Sequence, residues 1–180
     1  MADSKTIKHA FERNRKAIQL RPEIGKGTAV TKVRLYNGTT CEVEHKHWKF
    51  TVDVGTGEGG NDAGPGPSVL ERGSLGSCLA IACSQQAAVM EVPIDRIEVE
   101  IETDTDARGM FGINDTPPGF EAVRYRIYIE SPAEEEQVRK VIREVERLNP
   151  TLDNYRRALP VEGETHIVTT ELKEGKSYET

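Results

Sequence analysis

Cys41, Cys78 and Cys83 are the residues of this chain with the widest chemical reach. They form an odd set with no CxxC step and no Cys/His spacing of a zinc ligand set, so neither a disulfide framework nor a metal site is indicated. Three free thiols remain to be explained. A thiol acts as a nucleophile or redox centre only as its thiolate, which needs a lowered pKa from a helix N-terminus or a nearby cation. Cys78 lies about three turns into an apolar segment that opens at Pro67, too deep for the terminal dipole to act on it, so an arginine would have to supply the charge. The residue type alone reads equally as a packed core thiol, free cysteine being among the most buried side chains. Cys83 follows five residues later, about 140° further round a helix and roughly 8 Å away. That exceeds the reach of a disulfide and makes Cys83 a core residue. Cys41 falls in a β-type run, where packing is the expected role.

Other chemistries find less support. Gly55, Gly57, Gly59 and Gly60 precede no Lys-Ser/Thr step, so the glycine-rich stretch is not a phosphate loop. His45 and His47 would share one face of a strand, but no third metal ligand stands near them, and a solvated strand edge is expected. No GxSxG elbow is present. A net charge of −6 disfavours phosphate backbones and anionic lipid, so neither nucleic acid nor membrane is an expected partner. No apolar run suits a signal-peptide core or reaches the roughly 20 residues of a membrane span, which predicts a cytosolic protein.

The elements that must position a thiol follow from periodicity. Ile7, Ala10, Phe11 and Ile18 mark an amphipathic, mildly basic helix over residues 4–19, capped at Asp3 or Ser4 and stopped by Pro22 and Gly25. Three β-type runs follow, Thr28–Tyr36, Thr39–His45 and Trp48–Val54, the first two joined by a hairpin at Asn37-Gly38. Residues 55–67 are dominated by Gly and Pro and predict a mobile crossing. Ser68–Met90 is apolar or small nearly all round and predicts a helix buried on most faces, its small residues letting other backbones approach. Ile97, Val99 and Ile101 alternate with glutamates, whereas Val123, Tyr125, Ile127 and Ile129 alternate with arginines, so these strands should pair across the long polar loop Thr103–Gly119. Ser131, Pro132 and Glu134 spell a capping box ahead of the apolar stripe Val138, Val141, Ile142, Val145 and Leu148. A short helical turn through Tyr155 and a last strand at Thr165–Leu172 complete an α+β order with a mostly antiparallel sheet and a buried central helix. With no linker in its 180 residues, the chain divides into a helical extension (1–26), one folded domain (27–172) and a polar tail (173–180).

The segment from Pro67 to Cys78, PSVLERGSLGSC, resembles the NPExLxxxxxxxC motif of the OsmC/Ohr family, with the same eleven-residue step from proline to cysteine. A GG…GPxP stretch before it, a β meander upstream, and two strands and an amphipathic helix downstream extend the resemblance over residues 27–170. The resemblance implies an intertwined homodimer with its two central helices packed at the middle and the peroxidatic cysteine, here Cys78, opening to a pocket at the subunit interface. The implied activity is thiol-dependent reduction of organic hydroperoxides without a cofactor. Departures from the family pattern shape the rest. Asn149 stands in the Asn149-Pro150 step where the family has its resolving cysteine, so an external thiol reductant would be needed. Ser68 stands where the family has the glutamate that orients an arginine over the thiol; Glu71, two turns before Cys78, is the candidate substitute, and Arg34 on the early strands is the candidate thiolate stabiliser. The alternative is a non-catalytic family member that keeps the dimer and binds a small apolar molecule in its interface pocket.

Overall fold

The computed structural model describes residues 3–169. Its first element, helix α1 (Ser4–Leu20), starts where the Asp3 carboxylate accepts from the Thr6 backbone N–H at 2.8 Å. A 3₁₀ turn at Pro22–Gly25 leads to the meander β1 (Lys32–Asn37), β2 (Thr40–His45) and β3 (Trp48–Val52), antiparallel throughout. Then come α2 (Pro67–Met90), β4 (Arg96–Thr105), a single turn α3 (Ala107–Met110), β5 (Phe120–Glu130), α4 (Glu135–Leu148) and α5 (Pro150–Arg156). Pro67 opens α2 at a position whose N–H no helix uses.

The β4–β5 ribbon pairs as the charge alternation predicts. Glu100 lies opposite Arg126 and Glu102 opposite Arg124, with ion pairs of 2.6–3.2 Å among Arg124, Arg126, Glu100, Glu102 and Asp104 on the solvent side. The opposite side of the ribbon carries Ile97, Val99, Ile101, Val123, Tyr125 and Ile127 onto the core. There Leu75, Leu79, Cys83 and Ala87 of α2 meet Val141 and Val145 of α4 and Leu152 of α5. Gly76 lets the helix sit close to the ribbon: a Cβ there would come 3.3 Å from Ile101.

Several expectations are corrected. The strands form two separate antiparallel sheets, β1-β2-β3 and β4-β5, rather than one. The hairpin turn is Gly38-Thr39, one residue later than predicted: Asn37 pairs with Thr40, and Gly38 takes the left-handed φ of +57° that the turn needs. Ser131 does not cap α4. Its hydroxyl bridges the Pro93 carbonyl and the Ala133 N–H, and α4 begins at Glu135. His45 and His47 do not share a strand face, because His47 lies in the β2–β3 turn with its ring against Trp48, while the His45 Nδ1 meets the Val30 carbonyl. Residues 165–169 form no strand; the remainder of the predicted strand Thr165–Leu172 lies outside the described residues.

The glycine-rich crossing is tied down rather than loose. Asp53, at the end of β3 and 1% exposed, accepts from the hydroxyls of Thr39 (2.7 Å) and Thr40 (2.9 Å) and from the backbone N–H groups of Val54, Asn61 and Ala63. These bonds hold its carboxyl far below the usual range, the Thr39 hydroxyl being the largest cause. The loop lies so close to β3 that a Cβ at Gly64 would fall 2.5 Å from the Thr51 carbonyl oxygen.

Within one chain α2 is not covered on all sides. Val69 and Ile81 are exposed, and a Cβ at Gly73 would meet nothing within 4 Å. The meander likewise leaves an apolar face open, since Val33, Leu35 and Phe50 are exposed on one side of it.

Candidate functional site

Ser74, Cys78, Ile81, Ala82 and Gln85 follow one another at helical spacing along a single stripe of α2. This stripe floors a cleft of about 550 Å³. Phe11 of α1 contributes to its lining from one neighbouring helix, and Val145 and Leu148 of α4 with Pro150 and Thr151 of α5 from the others. Cys78 is therefore the half-buried thiol of a cleft. Among the described residues the lining is apolar or polar and uncharged, with no acidic or basic side chain. A thiolate at Cys78 would have its charge balanced by no group in this cleft.

Cys83 points from the opposite side of α2 into the core and is fully buried. Burial, with a smaller contribution from Glu146, pushes its thiol up to about 11, which removes nearly all nucleophilic character at neutral pH. Cys41 is half-buried on β2, opposite Val52 of β3, its Sγ 3.9 Å from the Thr39 carbonyl.

Glu71 lies on the same stripe as Cys78, as the seven-residue spacing implies, but about 10 Å of helical rise separates the two. Glu71 lines a neighbouring cavity with Phe120, Tyr155 and Arg156, and its Oε1 accepts from the Tyr155 hydroxyl at 3.2 Å. Arg34 is on β1, where Glu44 (2.6 Å) and Glu42 (3.9 Å) of β2 pair with it. The chain thus brings Arg34 together with Glu44 and Glu71 together with Tyr155, and neither Arg34 nor Glu71 lines the Cys78 cleft. Asn149 is buried at 2% exposure and caps α5, its Oδ1 accepting from the Leu152 N–H at 2.8 Å. Its sequence neighbours Leu148 and Pro150 both line the cleft. Sequence reasoning singled out Cys78 but missed Phe11, Gln85 and Tyr155. The stripe Ser74–Cys78–Ile81–Gln85 was available as a signal; the contacts of Phe11 and Tyr155, which come from distant segments, were not.

A family model described as "OsmC-like protein" matches residues 59–164. The chain belongs to the OsmC-like family. Solved structures agree on the fold. An OsmC-like protein from Mycoplasma pneumoniae superposes with a TM-score of 0.64 at 14% identity, covering 73% of this chain and 89% of that one. A protein from Aquifex aeolicus gives 0.58 at 13% identity over 73% and 89% of the two chains. An organic hydroperoxide resistance protein from Legionella pneumophila gives 0.53 at 15% identity over 73% and 92%. No curated protein matches. Among the described residues of this OsmC-like protein, no helix is long and apolar enough to cross a membrane, and no group of three His, Cys, Asp or Glu side chains could hold a metal ion.

Proposed function

We propose that this OsmC-like protein reduces organic hydroperoxides through Cys78, working as a homodimer with an external thiol as reductant. The observation that carries this reading is that Cys78 opens into an uncharged, largely apolar cleft while Cys83 is sealed in the core. Such a cleft suits a neutral apolar molecule. In the proposed step the Cys78 thiolate attacks the distal oxygen of the hydroperoxide. The S–O bond forms as the O–O bond breaks, and the alkoxide leaves and takes up a proton as the alcohol. Cys78 is then a sulfenic acid, two electrons more oxidised. One external thiol condenses with it to a mixed disulfide and water, and a second thiol releases Cys78.

The homodimer is supported by the uncovered apolar face of the meander and the uncovered stretch of α2 around Val69, Gly73 and Ile81, which a second copy would bury against each other. In that docking the cation would have to come from the partner subunit by a residue other than Arg34, which alternates with Val33 and Leu35 on β1 and so stands on the other side of the meander, paired with Glu44 and Glu42. Replacing Cys78 by Ser should abolish hydroperoxide consumption in the presence of a dithiol. Full consumption by the Cys78→Ser protein would refute the proposal.

The uncharged cleft and the use of Asn149 as a helix cap favour a second reading, a binding module that holds a small apolar ligand without chemistry. Native-state alkylation separates the two. A catalytic Cys78 labels quickly at neutral pH, whereas in the binding module it labels slowly and an apolar ligand protects it further.

A further inference from the structure

Helix α1 is a wall of the Cys78 cleft. It lies well upstream of the region matched by the family model, which begins at residue 59. Its apolar stripe, Ile7, Ala10 and Phe11, faces α2, and of these Phe11 reaches the cleft lined by Cys78. No residue of α1 is fully buried, and its one ion pair to the end of α2, Lys8 Nζ to Glu91 Oε1 at 2.7 Å, joins two exposed or half-exposed groups. Such a pair adds little to docking, so apolar contact by that stripe holds the wall. The phenyl ring of Phe11 is the largest side chain lining the cleft and comes from the one wall outside the matched region.

We infer that Phe11 is a specificity-determining residue: its ring sets the width of the cleft over Cys78 and so selects, by bulk, which apolar molecules reach the sulfur. This rests on the Cys78 reading above and adds a substrate class to it. Slender apolar hydroperoxides enter beside the ring and bulky aryl ones are slowed. Removing the ring relieves the discrimination, since a difference of a few carbon atoms in an apolar pocket changes selectivity by roughly tenfold or more.

The test uses methyl and benzyl methanethiosulfonate on the full chain. In both reactions the Cys78 thiolate attacks the sulfenyl sulfur, an S–S bond forms and methanesulfinate leaves, so the probes share one mechanism and one leaving group and differ in the apolar group transferred. The readout is the benzyl-to-methyl rate ratio at Cys78, located by mass spectrometry, in the wild type, Phe11→Ala and Ile7→Ala. The expected result is a ratio raised by about tenfold in Phe11→Ala, the scale of apolar-pocket discrimination, and unchanged in Ile7→Ala, which weakens the same apolar stripe at a residue that does not line the cleft. An unchanged ratio in Phe11→Ala, with Cys78 still reactive, overturns the role of Phe11 and leaves the thiol reading intact. An equal rise in Ile7→Ala overturns it too, because loosening of α1 rather than the ring would then be the cause. If neither probe labels Cys78 in any of the three proteins, the reactive-thiol reading fails, and the role of Phe11 with it.

Discussion

Cys83 provides the sharpest check on how α2 divides its faces. The perturbation is native-state alkylation with iodoacetamide in a Cys41→Ser background, which leaves Cys78 and Cys83 as the two thiols. Burial raises the Cys83 thiol from 9.0 to about 11. Two units correspond to a thiolate population about 100-fold smaller than that of an unperturbed thiol, roughly 3 in 10,000 at pH 7.5. The side chain is also 0% exposed, so reagent reaches it only during an opening of the core, which slows labelling further. Cys83 should therefore react at least about 100-fold more slowly than a small free thiol of ordinary pKa present in the same tube. Its rate should climb with pH up to about 11, and in denaturant it should label like any other cysteine. The assay is peptide-level mass spectrometry over a time course. Native labelling of Cys83 within tenfold of the free thiol would show that the α2 face carrying Leu75, Leu79 and Cys83 is not the core face, and the placement of Cys78 in the cleft would fall with it.

Asp53 should make the protein acid-sensitive. Its folded pKa lies below the unfolded value near 3.8, so its contribution is present above that value and is lost as the pH falls below it. Urea unfolding across a pH series should show Asp53→Asn less stable at neutral pH and less dependent on pH in the acid range, and parallel curves for the two proteins would contradict this. Asn149→Ala removes the α5 cap and should cost about 1 kcal/mol, read as a lower denaturant midpoint with an unchanged slope. Arg124→Ala deletes exposed pairs to Glu102 and Asp104, and should lower the denaturant midpoint only slightly, by an amount that shrinks further in high salt.

The sequence carried whatever depends on the order of neighbouring residues. Alternating Glu on one strand and Arg on the other was enough to pair β4 with β5, because cross-strand charges are read by a period of two. Pro67 and the small-residue run located α2, and the five-residue offset put Cys83 on a different face from Cys78. The eleven-residue step from Pro67 to Cys78 was likewise legible, and with it the family.

Tertiary structure decided which faces meet. Ser131, Pro132 and Glu134 satisfy a capping pattern, yet the Ser131 hydroxyl goes to the Pro93 carbonyl across a turn that only the folded chain closes. Asp53 is one acidic residue among many in the sequence; five hydrogen bonds from Thr39, Thr40, Val54, Asn61 and Ala63 make it the anchor of the glycine-rich loop. Glu71 and Cys78 share a helical stripe, but Tyr155 of α5 takes Glu71 while Phe11 of α1 helps enclose Cys78. Helical periodicity tells a side chain which way to point; what it finds there belongs to segments tens of residues away, and only packing brings those together.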